Sequence, residues 1–242
     1  MQWTFISGCP RSGTSITADL FRAHSSFGMG RERYGRYLRI NESLDPAMFD
    51  KQRFCRDLQA GDSHHRALDQ YYDDLFLRFD RCTHLGDKIP HVHKQYAGLR
   101  NAFPNARFIF LVRDVFDVAN SFKARQTLSL NKKSGAWPTW RGVEAAVEEW
   151  NRSISDTIEA FGTCDIFVAR YDRLFTDSGM LDEMMGFVRA PVTAEIDAFW
   201  TKASVQRQQI TRSRSSNLSE TERRFVEKNA DFEKFEKLLK LQ

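Results

Sequence analysis

Residues 5–21 read FISGCPRSGTSITADLF, and this run limits what the chain can fold into more than any other. A short apolar strand over Trp3–Ile6 feeds Gly8-Cys9-Pro10-Arg11-Ser12-Gly13-Thr14-Ser15. A helix follows, with Ile16, Leu20 and Ala23 expected on its apolar face. Strand, glycine-bearing loop and helix together cradle phosphate, because backbone N–H groups converge there and the helix N-terminus adds partial positive charge.

The two glycines keep the spacing of the nucleotide-binding loop GxxxxGK[ST], but Thr14 stands where that motif has lysine. The motif lysine reaches the β/γ-phosphates of a nucleoside triphosphate, and a ligand with no γ-phosphate does not require it. The cation of this loop is Arg11.

A second run, ARFIFLVRDVFDVANSFKAR over 106–125, repeats the logic. The apolar strand Arg107–Val112 ends at Arg113, and Asp114 is placed to cap the next helix. Ligands of open α/β sheets bind outside the carboxyl ends of strands, so Arg113 faces the right crevice. Ser121 lies two turns up that helix. A plain strand–helix junction with an Arg113–Asp117 surface pair would leave the same pattern.

Two further strands are expected at Thr83–Gly86 and Asp165–Ala169. Helical stripes run through Leu68, Tyr72, Leu75 and Phe79, and through Val143, Val147, Trp150, Ile154, Ile158 and Phe161. Strands alternating with helices predict an α/β fold: a mostly parallel central sheet covered by helices on both faces. At 242 residues the chain is expected to form one domain, 1–242. A helical insertion is expected at about 41–81 and a C-terminal helical segment at about 193–242. Ser219 and Glu222 make a capping box, after which Phe232, Phe235 and Leu239 should pin the last helix. Asn131–Trp140 reads as a loop, either a gate over the site or a solvated connector.

Net charge is +4, which suits an anionic nucleotide but is too weak for a nucleic-acid partner. No stretch approaches the ~20 apolar residues of a membrane span. The first strand begins almost at once, leaving no room for a signal peptide, so a cytoplasmic protein is expected. Cys9, Cys55, Cys82 and Cys164 are scattered; reduced thiols are expected, with a Cys55–Cys82 bridge as the alternative. No zinc-ligand spacing occurs, and no metal is expected.

PRSGTS after the first strand and RDVFDVANS after the central one resemble the two nucleotide-binding elements of the PAPS-dependent sulfotransferases. The likeness is to the bacterial branch, with a motif layout similar to tyrosylprotein sulfotransferases. It implies a P-loop-type three-layer fold and 3′-phosphoadenosine 5′-phosphosulfate (PAPS) as co-substrate. By that resemblance Ser12, Gly13, Thr14 and Ser15 hold the 5′-phosphosulfate, with Arg11 near the bridging oxygen. Arg113 and Ser121 grip the 3′-phosphate, although Val115 replaces the family's proline. Gly86-Asp87-Lys88-Ile89-Pro90 resembles the family's GDKTP segment, which makes Lys88 a catalytic cation. Glu32 takes the place of the general base, with Arg31 and Arg33 beside it to hold it ionised. His91 is the runner-up base; His64 and His65 have no evident role. Arg212, Ser213 and Arg214 either close over the 3′-phosphate or form a solvated basic loop.

The implied reaction is sulfuryl transfer to a hydroxyl or amine acceptor of unnamed class: glycan, tyrosine, lipid or small metabolite. Oligomeric state is left open. One rival is a nucleotide kinase with Ser15 on Mg²⁺ and Asp114 as a second ligand, which Thr14 argues against. The other is a non-catalytic nucleotide-binding protein, which intact Arg11, Lys88 and Glu32 argue against.

Overall fold

The computed structural model describes residues 1–63, 66–132, 138, 140–213 and 218–241. Five strands, β1 (Gln2–Gly8), β2 (Phe27–Arg31), β3 (His84–Lys88), β4 (Ala106–Val112) and β5 (Asp165–Arg170), form one sheet in the order β2-β3-β1-β4-β5. Every pairing is parallel. The helices in chain order are α1 (Thr14–Ala23), α2 (Gly35–Arg39), α3 (Lys51–Cys55), α4 (Asp69–Arg78), α5 (Tyr96–Ala102) and α6 (Val115–Lys132). After them come α7 (Val143–Ala160), α8 (Tyr171–Leu174), α9 (Ser178–Phe187), α10 (Ala194–Ser213), α11 (Glu220–Asn229) and α12 (Phe232–Leu239).

Strand β4 shows why the sheet is buried on both faces. All of ARFIFLV is buried, and successive side chains point to opposite sides. Phe108 and Phe110 join one apolar layer with Phe5, Leu85 and the α7 residues Val147, Trp150 and Ile154. Ile109 and Leu111 join the other with Ile6, Phe27, Met29, the α1 residues Leu20 and Phe21, and Met180 and Met184 of α9. The result is the three-layer α/β arrangement expected from the alternating pattern.

Several local expectations are corrected. Helix α1 buries Thr17, Ala18, Leu20 and Phe21, while Ile16 and Ala23 are only partly covered. Strand β3 starts one residue later than Thr83 and runs on to Lys88. Asp87 and Lys88 lie past the expected end at Gly86, yet both are buried and both find partners, so the ladder continues through them. The 41–81 insertion enters after β2 and is less helical than expected; besides α3 and α4 it holds short 3-10 turns at Pro46–Phe49, Arg66–Leu68 and Phe79–Arg81. Its apolar stripe Leu68, Tyr72, Leu75 and Phe79 is buried as expected. The Ser219–Glu222 capping box is formed at α11. In α12 Leu238 is the buried anchor and Phe235 and Leu239 flank it; Phe232 is 38% exposed and sets its ring against Phe116 and Trp150.

Cys55 and Cys82 are not bonded, and all four thiols are free and buried. Among the described residues no helix is long and apolar enough to cross a membrane. His64, His65, Arg214 and most of the 131–140 loop lie outside the described residues, as does the side chain of Arg212.

Candidate active site

The β1–α1 loop leaves β1 through Gly8 at φ +146° and enters α1 through Gly13 at φ +103°. A Cβ on Gly13 would sit 2.2 Å from the Tyr171 ring, and one on Gly8 would sit 2.5 Å from the Leu111 carbonyl oxygen. Both the backbone angle and the packing therefore demand glycine. Inside the loop the Ser12 N–H and Oγ both donate to the Cys9 carbonyl, at 3.0 and 2.6 Å. The Ser12 hydroxyl, expected to face the ligand, is instead turned inward and shapes the loop. Helix α1 has no side-chain cap among the described residues, so its first-turn N–H groups lack a helical partner at the end where Gly13, Thr14, Ser15 and Ile16 line a cleft.

Arg11 holds φ +74°, unusual for a residue with a Cβ, and its Nε donates to Ser121 Oγ at 3.0 Å. That bond joins the two sequence motifs. Arg113 donates from Nε and Nη2 to Asp117 Oδ2, at 3.0 and 2.6 Å, and from Nη1 to the Arg11 carbonyl at 3.3 Å. Its guanidinium lies 4.6 Å from the Tyr171 ring centre, and Trp150 Nε1 fixes the Arg113 carbonyl at 2.8 Å. The plain Arg113–Asp117 pair is therefore present at this strand–helix junction. Arg11, Gly13, Thr14, Ser15, Ile16, Arg113, Ser121 and Tyr171 line one cleft of about 200 Å³.

Tyr171 was missed from the sequence. It follows β5 in VARYD, and the rule that ligands sit at strand carboxyl ends was the signal that could have found it.

The catalytic candidates meet at the other side of the loop. Lys88 ends β3 and is 1% exposed. Its Nζ lies 2.6 Å from Glu32 Oε1 and donates to Ser15 Oγ at 3.2 Å. Burial pulls the Lys88 ammonium below its usual range, and the Glu32 carboxylate opposes that pull. Glu32 follows β2 directly at φ +59°, and its N–H donates to the Lys88 carbonyl at 2.8 Å. Among the described residues four with side chains adopt left-handed geometry, Arg11, Glu32, Asn41 and Arg189, and the first two belong to the candidate site.

Arg33, expected beside Glu32, points into the core instead. It donates to the Phe54 carbonyl at 2.8 Å and covers the Tyr72 ring, whereas Lys88 stands close to Glu32. His91 turns toward α7, with Nε2 3.6 Å from Glu149 Oε2. Asp114 Oδ1 accepts the N–H groups of Phe116 and Asp117, which makes it a helix cap.

Sheet, loop and cleft define an α/β protein with a P-loop-type fold. The chain belongs to the sulfotransferase family, whose model matches residues 4–179. Protein-tyrosine sulfotransferase A of Caenorhabditis elegans is 26% identical over 180 residues, covering 70% of this chain and 45% of that protein. Human protein-tyrosine sulfotransferase 1 is 25% identical over 157 residues, covering 64% and 41%. The chain thus spans less than half the length of these relatives. In fold it is similar to the sulfotransferase domain from the curacin biosynthetic pathway, with TM-score 0.54, 19% identity, and 80% and 75% of the two chains covered. A sulfotransferase of Mycobacterium tuberculosis H37Rv gives TM-score 0.51 at 12% identity, covering 84% and 71%.

Proposed function

We propose that this chain transfers a sulfuryl group from PAPS to a hydroxyl or amine acceptor by in-line displacement. The observation that carries the reading is Lys88 Nζ, held between Glu32 Oε1 and Ser15 Oγ at the mouth of a phosphate-binding loop. Base, cation and anion cradle are brought together from β2, β3 and α1.

The residues fit the co-substrate. The Gly13 turn lets the loop backbone pack directly under the Tyr171 ring, and Thr14 replaces the lysine that a γ-phosphate would need. Bound PAPS supplies an activated sulfuryl group with a phosphate as leaving group. Sulfuryl transfer, like phosphoryl transfer, needs alignment and neutralised charge more than covalent help. Lys88 and Arg11 provide the positive charge. Glu32 accepts the proton of the acceptor. The α1 N-terminus with Gly13, Thr14 and Ser15 holds the 5′ end, together with the Ser12 backbone. Arg113 and Ser121 hold the 3′-phosphate, tied to the loop through Arg11.

A metal-assisted kinase is disfavoured because Asp114, its second metal ligand, already caps α6. The named relatives favour a tyrosine acceptor; a glycan, lipid or small-metabolite hydroxyl meets the same chemical demands. Four unpaired thiols favour a reducing, cytoplasmic setting.

The test is transfer of labelled sulfate from PAPS into an extract of the source organism, run beside Glu32→Gln. Label entering a discrete product with the wild type and not with the variant is expected. Transfer of label from γ-labelled ATP, with none from PAPS, would replace the reading by the kinase.

A further inference from the structure

Asp87 and Lys88 are the last two residues of β3, and the pleat sends them to opposite faces. Lys88 reaches the phosphate-binding loop. Asp87 points the other way and is wholly buried. Its Oδ2 accepts the Tyr34 N–H at 2.9 Å, and its Oδ1 has no partner among the described residues. Gly30 stands opposite in register, and a Cβ there would lie 2.6 Å from Oδ1. The sequence has therefore cleared space on a buried strand for a carboxyl group, where an apolar side chain would avoid an unpaired acceptor.

What the carboxyl holds is the turn that carries Glu32. Glu32 sits at φ +59°, and the Gly35 N–H closes the turn on the Glu32 carbonyl at 3.1 Å. Two further bonds fasten the turn to β3: the Glu32 N–H to the Lys88 carbonyl, and the Tyr34 N–H to Asp87 Oδ2. Consecutive residues of one strand thus grip the turn on both sides of the strained residue, and the same strand carries Lys88. We propose that Asp87 is a positioning residue that fixes Glu32 against Lys88 through the backbone of the 32–35 turn. The inference rests on the sulfotransferase reading for its catalytic consequence, and on the turn alone for its structural one.

The grip depends on ionisation. Burial pushes the Asp87 carboxyl up to about 7; the Tyr34 N–H, the Lys88 ammonium and the Arg33 N–H oppose that, and the Glu32 carboxylate adds to it. The Tyr72 hydroxyl of α4 and the Tyr34 hydroxyl both feel the charge of this carboxyl, with the Arg33 guanidinium over the Tyr72 ring. A charged acceptor holds an N–H more strongly than a neutral one, so the turn tightens as pH rises through that value.

The test uses Asp87→Asn, which keeps shape and an acceptor oxygen, and Asp87→Ala, which removes the acceptor. Amide spectra of the ¹⁵N-labelled protein are followed from pH 5.5 to 8.5. The Tyr34 amide should shift with a midpoint near 7 in the wild type and not in Asp87→Asn. PAPS turnover is read as release of adenosine 3′,5′-bisphosphate (PAP) with water as acceptor. Asp87→Ala should lower kcat by roughly tenfold to a hundredfold, as misplacing a catalytic group does, with KM for PAPS nearly unchanged. Asp87→Asn should recover most of that loss at pH 8 and show no midpoint near 7. Two results would overturn the proposal: a Tyr34 amide that does not titrate, or an Asp87→Ala protein that loses melting temperature but keeps kcat. If the wild type neither binds PAP nor turns over PAPS, the functional reading fails, and the Tyr34 titration still decides the role of Asp87 in the turn.

Discussion

The Arg113 guanidinium has five N–H donors, and the protein uses three of them: two on Asp117 Oδ2 and one on the Arg11 carbonyl. Two remain, which is what one bidentate phosphate takes. A hydrogen bond to a charged group contributes about 1.5–3 kcal/mol. Arg113→Ala should therefore weaken PAP binding at least roughly tenfold. Adenosine 5′-monophosphate, which lacks the 3′-phosphate, should bind nearly as before. Ser121→Ala should show the same selectivity with a smaller effect, since its Oγ also anchors Arg11. Calorimetric titration of both nucleotides decides the matter; equal losses for the two would make Arg113 a support of the fold. At the other end of the site, Glu32→Gln keeps shape and removes the proton acceptor. Turnover should fall by roughly 10²–10⁴, the usual weight of general base catalysis, with PAP affinity little changed. Near-normal turnover in that variant, with loss in His91→Ala, would move the base to His91.

Between strand and helix, the β1–α1 loop is the element the site hangs on. Gly13→Ala would place a Cβ in the Tyr171 ring at a backbone angle that side chains rarely adopt. A strained residue of this kind costs about 1–3 kcal/mol before the clash is counted. A clear drop in melting temperature and loss of PAP binding are expected; a variant that melts and binds like the wild type would mean the loop is not the cradle. This loop and the Arg113–Ser121 element were legible in the sequence because each is local: glycine spacing, a strand end, a cap. The Glu32–Lys88 contact was not, because it is made by the register of β2 on β3, which aligns Arg31 with Lys88. The sequence could offer Glu32 and Lys88 one at a time but could not bring them within 2.6 Å of each other. Tyr171 was hidden for the same reason, reaching Gly13 and Arg113 from the far end of the sheet. Strand β3 runs two residues past the expected Gly86 because Asp87 and Lys88, charged in the sequence, are buried with partners that only the fold supplies.

Across the whole molecule, the site lowers the stability of the fold at neutral pH. The folded-state pKa of Asp87, about 7, lies above the ordinary carboxylate value near 3.9. Between those values the folded protein binds the extra proton, so this residue's contribution is fully present below about pH 4 and is lost as pH rises through 7. Asp87→Asn should therefore melt above the wild type at pH 8, with the gap closing toward pH 4. An equal gap at both ends would show that Asp87 does not titrate in this range. The assembled cleft is expected to accept PAP in preference to ATP–Mg²⁺. A ligand present at a hundredfold excess over its dissociation constant adds about 2.7 kcal/mol to stability, an easily measured melting shift. The direct measurement is the melting temperature of the wild-type protein titrated in parallel with PAP and with ATP–Mg²⁺. We expect a saturable upward shift with PAP and a much smaller one with ATP–Mg²⁺; an equal or larger shift with ATP–Mg²⁺ would contradict a PAPS-dependent site.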